Sequence, residues 1–255
     1  MEEHHRYDNE FFDYVERGAY RSALNVVPLV SKGLWAQSVL DVGCGRGIWL
    51  REWARAGVTD CLGVDGHYID QTKLAIPKAH FVARDLSQPF DLGRKFDIVQ
   101  SLEVAEHISD HFAEVFMDNL CRHSSVILFS AAVPGQGGEM HVNERPLEYW
   151  REKFLDRGYA AFDWIRPMIS DNVAVEPWYR YNSLLFANDD AVSRLPAEIK
   201  TTRIPAGERI ANFAPIGWRT RNMVLRCLPP SIVNWLAIFK HKISNLRAKA
   251  SLFRK

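Results

Sequence analysis

The stretch Val39-Leu40-Asp41-Val42-Gly43-Cys44-Gly45-Arg46-Gly47 runs from apolar residues through an acid into three alternating glycines. The residues after it, Ile48 to Ala56, are compatible with a helix and are closed by Gly57. This combination reads as a buried parallel strand that passes through a tight turn into a helix. Glycine is needed where the backbone takes positive φ or where a ligand comes close to it. A dinucleotide turn wants G-x-G-x-x-G, which brings a pyrophosphate onto the helix N-terminus. Its third glycine would fall at position 48, which is Ile48. The pattern present is D-x-G-x-G-x-G. An acid ahead of such a turn repels a pyrophosphate but suits a ligand that carries an ammonium or sulfonium.

Strand and helix signals alternate after that turn. Strands are expected at 38–42, 61–65, 79–83, 96–101 and 125–130, with helices at 48–56, 110–120 and 146–156. Two last strands are expected at 160–165 and 181–187, with no helix between them. This rhythm indicates an α/β fold, a doubly wound and mostly parallel sheet of seven strands with an antiparallel edge hairpin. A helix over 8–30, ended or kinked by Pro28, precedes the sheet and could cap its edge or cover a ligand. The organisation expected is a helical cap over 1–36, a main domain over 37–188, and an irregular segment with a basic amphipathic helix over 189–255. At 255 residues the chain is long enough for one such domain with additions.

The turn resembles motif I of the class I S-adenosylmethionine-dependent methyltransferases, and the resemblance runs from about Val39 to Ala187. It implies a Rossmann-like sheet and S-adenosyl-L-methionine as cofactor. Asp41, Gly43, Cys44, Gly45 and Gly47 would form the cofactor turn. Asp65, with Gly66 after it, closes the second strand, where a carboxylate can accept both ribose hydroxyls. Asp85 and Leu86 resemble the family's adenine-binding acid and the backbone N–H that follows it. Ser101 and Leu102 open the segment after strand four. Nucleic-acid amine methyltransferases usually carry an N/D-P-P-Y/F tetrad at that place. It is absent here, which argues against a nucleic-acid acceptor.

Methyl transfer from a sulfonium needs an acceptor held in line and, for a hydroxyl, a route for its proton. The candidate segment is Pro134-Gly135-Gln136-Gly137-Gly138-Glu139-Met140-His141-Val142-Asn143-Glu144. His141 is the expected general base, and in an extended segment Asn143 would share its face. Glu144 would either orient His141 or cap the helix at Pro146. His107 has a structural reading and a substrate-side reading of equal weight. A loop histidine that only caps a helix is the structural alternative for His141. Glu103, Glu106, His107, Glu139 and His141 also include suitable ligands for a divalent metal such as Mg2+, although their spacing is not diagnostic.

The segment P-G-Q-G-G-x-x-H-V-N-E, with Y-D-x-x-F-F near the start and Glu176-Pro177-Trp178-Tyr179-Arg180-Tyr181-Asn182, resembles a bacterial subgroup that accompanies glycan or secondary-metabolite assembly. That association makes a hydroxyl of a sugar or a glycosylated small molecule the first acceptor expected. A lipid or quinone headgroup is the alternative, and a non-catalytic cofactor-binding partner is the third reading. Tyr7, Phe11, Phe12, Trp178 and Tyr179 could stack on an acceptor ring, with core packing as their default role.

The net charge of +1 hides an asymmetry: residues 218–255 hold nine Lys/Arg and no acid, leaving 23 basic against 31 acidic side chains before them. Ile232, Trp235, Leu236, Phe239, Ile243 and Leu246 fall on one helical face, with Lys240, Lys242, Arg247 and Lys249 nearby. This predicts docking on an anionic membrane or on a second copy of the chain, against the simpler reading that the helix packs on its own domain. The four cysteines form no C-x-x-C pair, and the charged start carries no secretory signal. A cytoplasmic location, with peripheral contact at the inner membrane surface, is therefore expected.

Overall fold

In the computed structural model, residues 9–252 are described, with side chains at position 12 and from 15 to 246. The elements in order are α1 (Asn9–Leu34), β1 (Ser38–Val42), α2 (Ile48–Arg55), β2 (Asp60–Asp65), β3 (Phe81–Ala83), β4 (Ile98–Leu102), α3 (Ala113–His123), β5 (Val126–Ser130), α4 (Leu147–Leu155) and β6 (Tyr159–Phe162). They continue with α5 (Arg166–Ile169), α6 (Pro177–Asn182), β7 (Leu184–Asn188), α7 (Asp189–Arg194), α8 (Ala197–Lys200), α9 (Ile216–Arg226) and α10 (Pro230–Leu252).

The seven strands form one sheet in the order β3-β2-β1-β4-β5-β7-β6. β7 is antiparallel to both its neighbours, and every other pairing is parallel. The apolar strands are continuous because both faces of the sheet are covered. Successive residues alternate between two cores. Val39, Ile98 and Leu128 pack with Trp53 of α2 and Val26 of α1. Leu40, Val99 and Ile127 pack on the other face with Phe116 of α3 and Phe154 of α4. From β1 the chain builds outward through β2 and β3, then returns to the other side of β1 as β4. That reversal opens a crevice at the strands' carboxyl ends, where ligands bind in sheets of this kind.

The expected sheet is present, with differences at its margins. The third strand is only Phe81–Ala83, because 78–80 forms a 3-10 turn behind Pro77. The last two strands pair as expected but are not helix-free between: α5 and α6 lie there, each begun by a proline in its first turn. Pro28 does not end α1, which continues to Leu34. Residues 188–230 are not simply irregular and contain α7, α8 and α9. Among the described residues no helix is long and apolar enough to cross a membrane.

Candidate functional site

The crevice is one continuous cavity of about 1180 Å³. The glycine turn forms one end of it. Gly43 and Gly45 take φ of +86° and +54°, which side-chain-bearing residues rarely adopt. A Cβ on Gly43 would lie 2.4 Å from Val104, whereas one on Gly45 would find only Phe12 at 3.8 Å and would project toward open space. The turn is fastened to the next strand by Gly43 N–H donating to Val64 O at 2.8 Å. α1 roofs this end through Phe12, Val15, Glu16 and Ala19, and Glu16 pairs with Arg46 at 3.3 Å. Of the two positions expected for this helix, the one beside the cavity is the one its lining residues take.

Asp65 stands at the end of β2 with both carboxylate oxygens engaged. Oδ2 accepts from Gly45 N at 2.7 Å, and Oδ1 accepts from Gly66 N and the Tyr68 hydroxyl, each at 2.6 Å. Burial raises its pKa, against these three donors. The Tyr68 hydroxyl thus takes up Oδ1, one of the two oxygens expected from the sequence to accept from a ribose. Asp85 lies on the cavity wall with Leu86, but its Oδ1 accepts from Ser87 N and Oγ at 2.9 and 2.6 Å. Cys44, Gly66 and Leu102 also line the cavity.

Three expected cofactor residues do not line it. Gly47 starts α2 in the left-handed conformation, and a Cβ there would strike Ile76 at 2.8 Å. Ser101 is buried and ties β4 to β1 by donating to Val42 O at 2.8 Å. Asp41 is buried beneath the turn, where its Oδ2 has no hydrogen-bond partner. Burial pushes its pKa up to about 8, helped by the charge of Asp65 and opposed by Gln100 beside it.

The sign of the resulting pH effect is fixed. An unfolded aspartate releases its proton near pH 3.9, so between there and about 8 the folded chain holds a proton that the unfolded chain has lost. Stability from this group is complete below the unfolded value and falls as pH rises, by at most ~1.4 kcal/mol per unit. Asp41→Asn is expected to remove that slope. Thermal melts should show the variant gaining on the native chain from pH 5 to 8, and parallel curves would reject the assignment.

The loops after β4 and β5 form the other end. Glu103 (φ +58°) and Met140 (φ +59°) are two of the three positive-φ residues other than glycine among those described. Both flank the same cluster, and strain of this kind gathers at functional sites. Glu106 is 1% exposed. Its backbone carbonyl accepts from Val142 N and Asn143 N, each at 2.9 Å, which fixes the 134–144 loop against β4. Its Oε2 has no partner, and burial, then the charge of Glu103, pushes its pKa well up. Burial and the neighbouring His141 press the His107 pKa down to about 3, so that ring is neutral at ordinary pH.

His141 meets His107 edge to face at 4.9 Å. Its Nδ1 pairs with Glu144 Oε1 at 2.8 Å, and its Nε2 lies 4.0 Å from Glu106 Oε1. Glu144 also accepts from Gly135 N and Gly137 N at 2.7 Å each. Burial works against its charge, but His141 and these amides hold its pKa below the usual range. Of the two roles open to it, Glu144 orients His141; the helix behind it begins at Pro146 with no side-chain cap. Asn143 is buried like its neighbour but one, the half-buried His141, while Val142 between them is 62% exposed, which is the alternation expected of an extended segment. The chain turns at Met140 ahead of this segment, and Asn143 donates to Ile108 O at 3.0 Å.

Glu106, His107 and His141 offer ligand atoms within 4.8 Å of one another and could hold a metal ion. Glu139, also proposed as a ligand, instead bonds His241 of α10. A polar chain that the sequence did not reveal supports the cluster: Asn182 donates to Gln136 at 2.8 Å, and Gln136 donates to Glu103 at 2.6 Å. Glu176-to-Asn182 carried a signal for it, since α6 places Trp178 and Tyr179 on the cavity wall with Phe12. Tyr7 and the side chain of Phe11 lie outside the described residues.

The C-terminal helices complete the wall with Arg221, Leu225, Val233, Leu236, Ala237 and Lys240. α10 packs through its polar side. Asn234 accepts from Met140 N at 3.0 Å, His241 meets Glu139, and Asn245 accepts from Arg17 at 2.5 Å. Most of the face expected to dock is left outside: Ile232, Trp235, Phe239 and Leu246 are exposed, with Trp235 and Phe239 stacked at 5.4 Å, while Leu236 is shared with the cavity wall. Arg247 and Lys249 lie outside the described side chains.

Residues 5–168 match the family model of the methyltransferase domain. A stretch of 81 residues is 37% identical to the ubiquinone biosynthesis O-methyltransferase of Bartonella quintana, covering 28% of this chain and 31% of that protein. The protein of the same name from Brucella ovis is 34% identical over 87 residues, covering 31% and 33%. The chain thus spans about a third of the length of these curated relatives. The sugar N-methyltransferase KedS8 from Streptoalloteichus superposes with a TM-score of 0.52 at 18% identity, covering 69% of this chain and 92% of that one. An O-methyltransferase family protein from Burkholderia thailandensis gives 0.52 at 16% identity, covering 71% and 60%. At such identities the two structures bear on the fold alone.

Proposed function

The chain belongs to the class I S-adenosylmethionine-dependent methyltransferases, and we propose that it methylates a hydroxyl on the ring of a lipid-tailed, quinone-type acceptor at an anionic membrane surface. The observation that carries this reading is the position of α9 and α10. Their inner side walls the acceptor end of the cavity, and their outer side is apolar and basic. Met223 and Val224 of α9 are 68% and 57% exposed, and Trp235 and Phe239 of α10 are 59% and 51% exposed. Arg219, Arg226 and Lys242 on the same helices are exposed too. An amphipathic helix of this composition lies in a bilayer interface, each basic residue adding about 1 kcal/mol toward anionic lipid. The names of the curated relatives favour the quinone-type acceptor over the sugar first expected from the sequence.

The cofactor end fits S-adenosylmethionine: Gly45 leaves open space at the turn, and Asp65 sits where a ribose would meet it. When bound, the cofactor supplies a methyl group already activated on sulfur. The chain positions the acceptor in line and manages its proton. Phe12, Trp178 and Tyr179 flank an aromatic ring, and the acceptor hydroxyl loses its proton within the Glu106–His107–His141 cluster.

Two measurements test this. A prenylated catechol should take labelled methyl from S-adenosylmethionine where a free monosaccharide does not, and the reverse preference would overturn the acceptor class. The native chain should co-sediment with vesicles containing anionic lipid, less so at high salt. Trp235→Glu with Phe239→Glu should lower that binding by about tenfold or more. Equal sedimentation of both forms would remove the membrane from the proposal.

A further inference from the structure

We propose that the mouth of the cavity, where Lys240 of α10 and Arg221 of α9 stand, is a subsite for a carboxylate carried on the ring of the acceptor. This rests on the reading of the acceptor as a ring hydroxyl and adds a second polar group by which the ring is oriented. Lys240 lines the cavity and is exposed, which puts its ammonium at the opening. Its Nζ lies 5.8 Å from the centre of the Trp178 ring, within reach of a cation–π attraction, and Trp178 is part of the same wall. Among the described residues no carboxylate pairs with Lys240. Glu139 is already bonded by His241, the next residue along α10. An ammonium at an aromatic wall with no acid opposite it is placed to receive an anion from outside the protein.

Arg221 stands on adjoining ground. Its Nη1 donates to Gln136 O at 2.8 Å and to Asn222 Oδ1 at 3.0 Å, and its guanidinium lies 4.7 Å from the Trp218 ring. Both oxygens are uncharged, so these bonds fix the guanidinium without cancelling its charge. The Gln136 side chain in turn accepts from Asn182 at 2.8 Å, and Asn182 lies about one helical turn along α6 from Trp178. Two helices thus bring a cation each to the same short stretch of wall. Two like charges beside a low-dielectric cavity focus their field at its opening and favour a negative group there.

A carboxylate is the anion that suits a ring seated here. Conjugation keeps it in the plane of the ring, so a ring flanked by Phe12, Trp178 and Tyr179 presents it edgewise to Lys240 while its hydroxyl faces His141. The planar guanidinium of Arg221 matches a planar carboxylate as well. Lys240, Arg221 and Trp178 all lie beyond residues 5–168, the part that matches the family model. The fold is common property, and recognition of the acceptor is built onto it by the segments this chain adds.

The test uses the full chain without lipid, in the presence of S-adenosylhomocysteine. Calorimetry compares a short-tailed dihydroxybenzoate with its neutral amide of the same shape. The native chain should bind the benzoate about five- to tenfold more tightly, the range between a screened and a charge-assisted pair. Lys240→Met should bring the two ligands to within about twofold of each other, and Lys240→Arg should keep the preference. Lys200→Met removes the same charge from α8, outside the cavity, and should keep it too. No preference in the native chain overturns the proposal. So does a preference that Lys240→Met retains, or one that Lys240→Arg or Lys200→Met also loses. Equal binding and equal methylation of benzoate and amide remove the subsite and leave the ring-hydroxyl reading intact. A preference carried by Lys240 in a chain that methylates neither ligand supports the subsite and removes that reading.

Discussion

Turnover in the His141→Ala variant falls by about a hundredfold or more, equivalent to roughly 2.7 kcal/mol of barrier, while S-adenosylmethionine binding is retained. The imidazole works at the acceptor end, away from Gly45 and Asp65. The loop that carries it survives the substitution, because Glu144 still accepts from Gly135 N and Gly137 N and Glu106 still binds Val142 N and Asn143 N. The loss therefore falls on the chemical step. Calorimetry with S-adenosylhomocysteine, run beside single-turnover kinetics, separates the two quantities. A variant with the native single-turnover rate would place the proton's route elsewhere.

Gly45→Val reverses that pattern by losing the cofactor. Valine at φ +54° carries a backbone cost of about 1–3 kcal/mol, and its methyl groups enter the space that Gly45 leaves open. Affinity for S-adenosylmethionine should fall by at least about a hundredfold. Gly57→Val is the control: its φ is +97° with nothing within 4 Å of the added Cβ, so it bears strain without touching the cavity. It should melt earlier yet bind normally. If both variants bound equally well, Gly45 would be a structural turn only.

The cofactor end was the more legible half of the site in the sequence. Gly43, Gly45, Asp65 and Asp85 sit at strand ends, and a strand end is marked locally by an apolar run that stops. Asp41 lies one residue inside β1, and an acid there looks the same in sequence as one at the strand's mouth. The acceptor end depends on contacts between distant segments. Asn182 reaching Gln136, and Asn234 reaching Met140, join residues 46 and 94 positions apart, and no local pattern announces either pair. The tail's apolar stripe was legible. Its orientation was not, because Asn234, His241 and Asn245 supply enough polar contact to seat the opposite face against the protein.

The bond between His241 and Glu139, with that from Met140 to Asn234, ties the loop after β5 to the last helix described. A chain leaving the ribosome has its glycine turn, its strands and His141 in place before α9 and α10 exist. Arg221, Leu225, Val233 and Leu236, which wall the acceptor end, are therefore synthesised after the residues of the glycine turn and the sheet. A polypeptide halted before position 216 lacks that wall, and its Glu139 and Met140 N lack the partners that His241 and Asn234 supply.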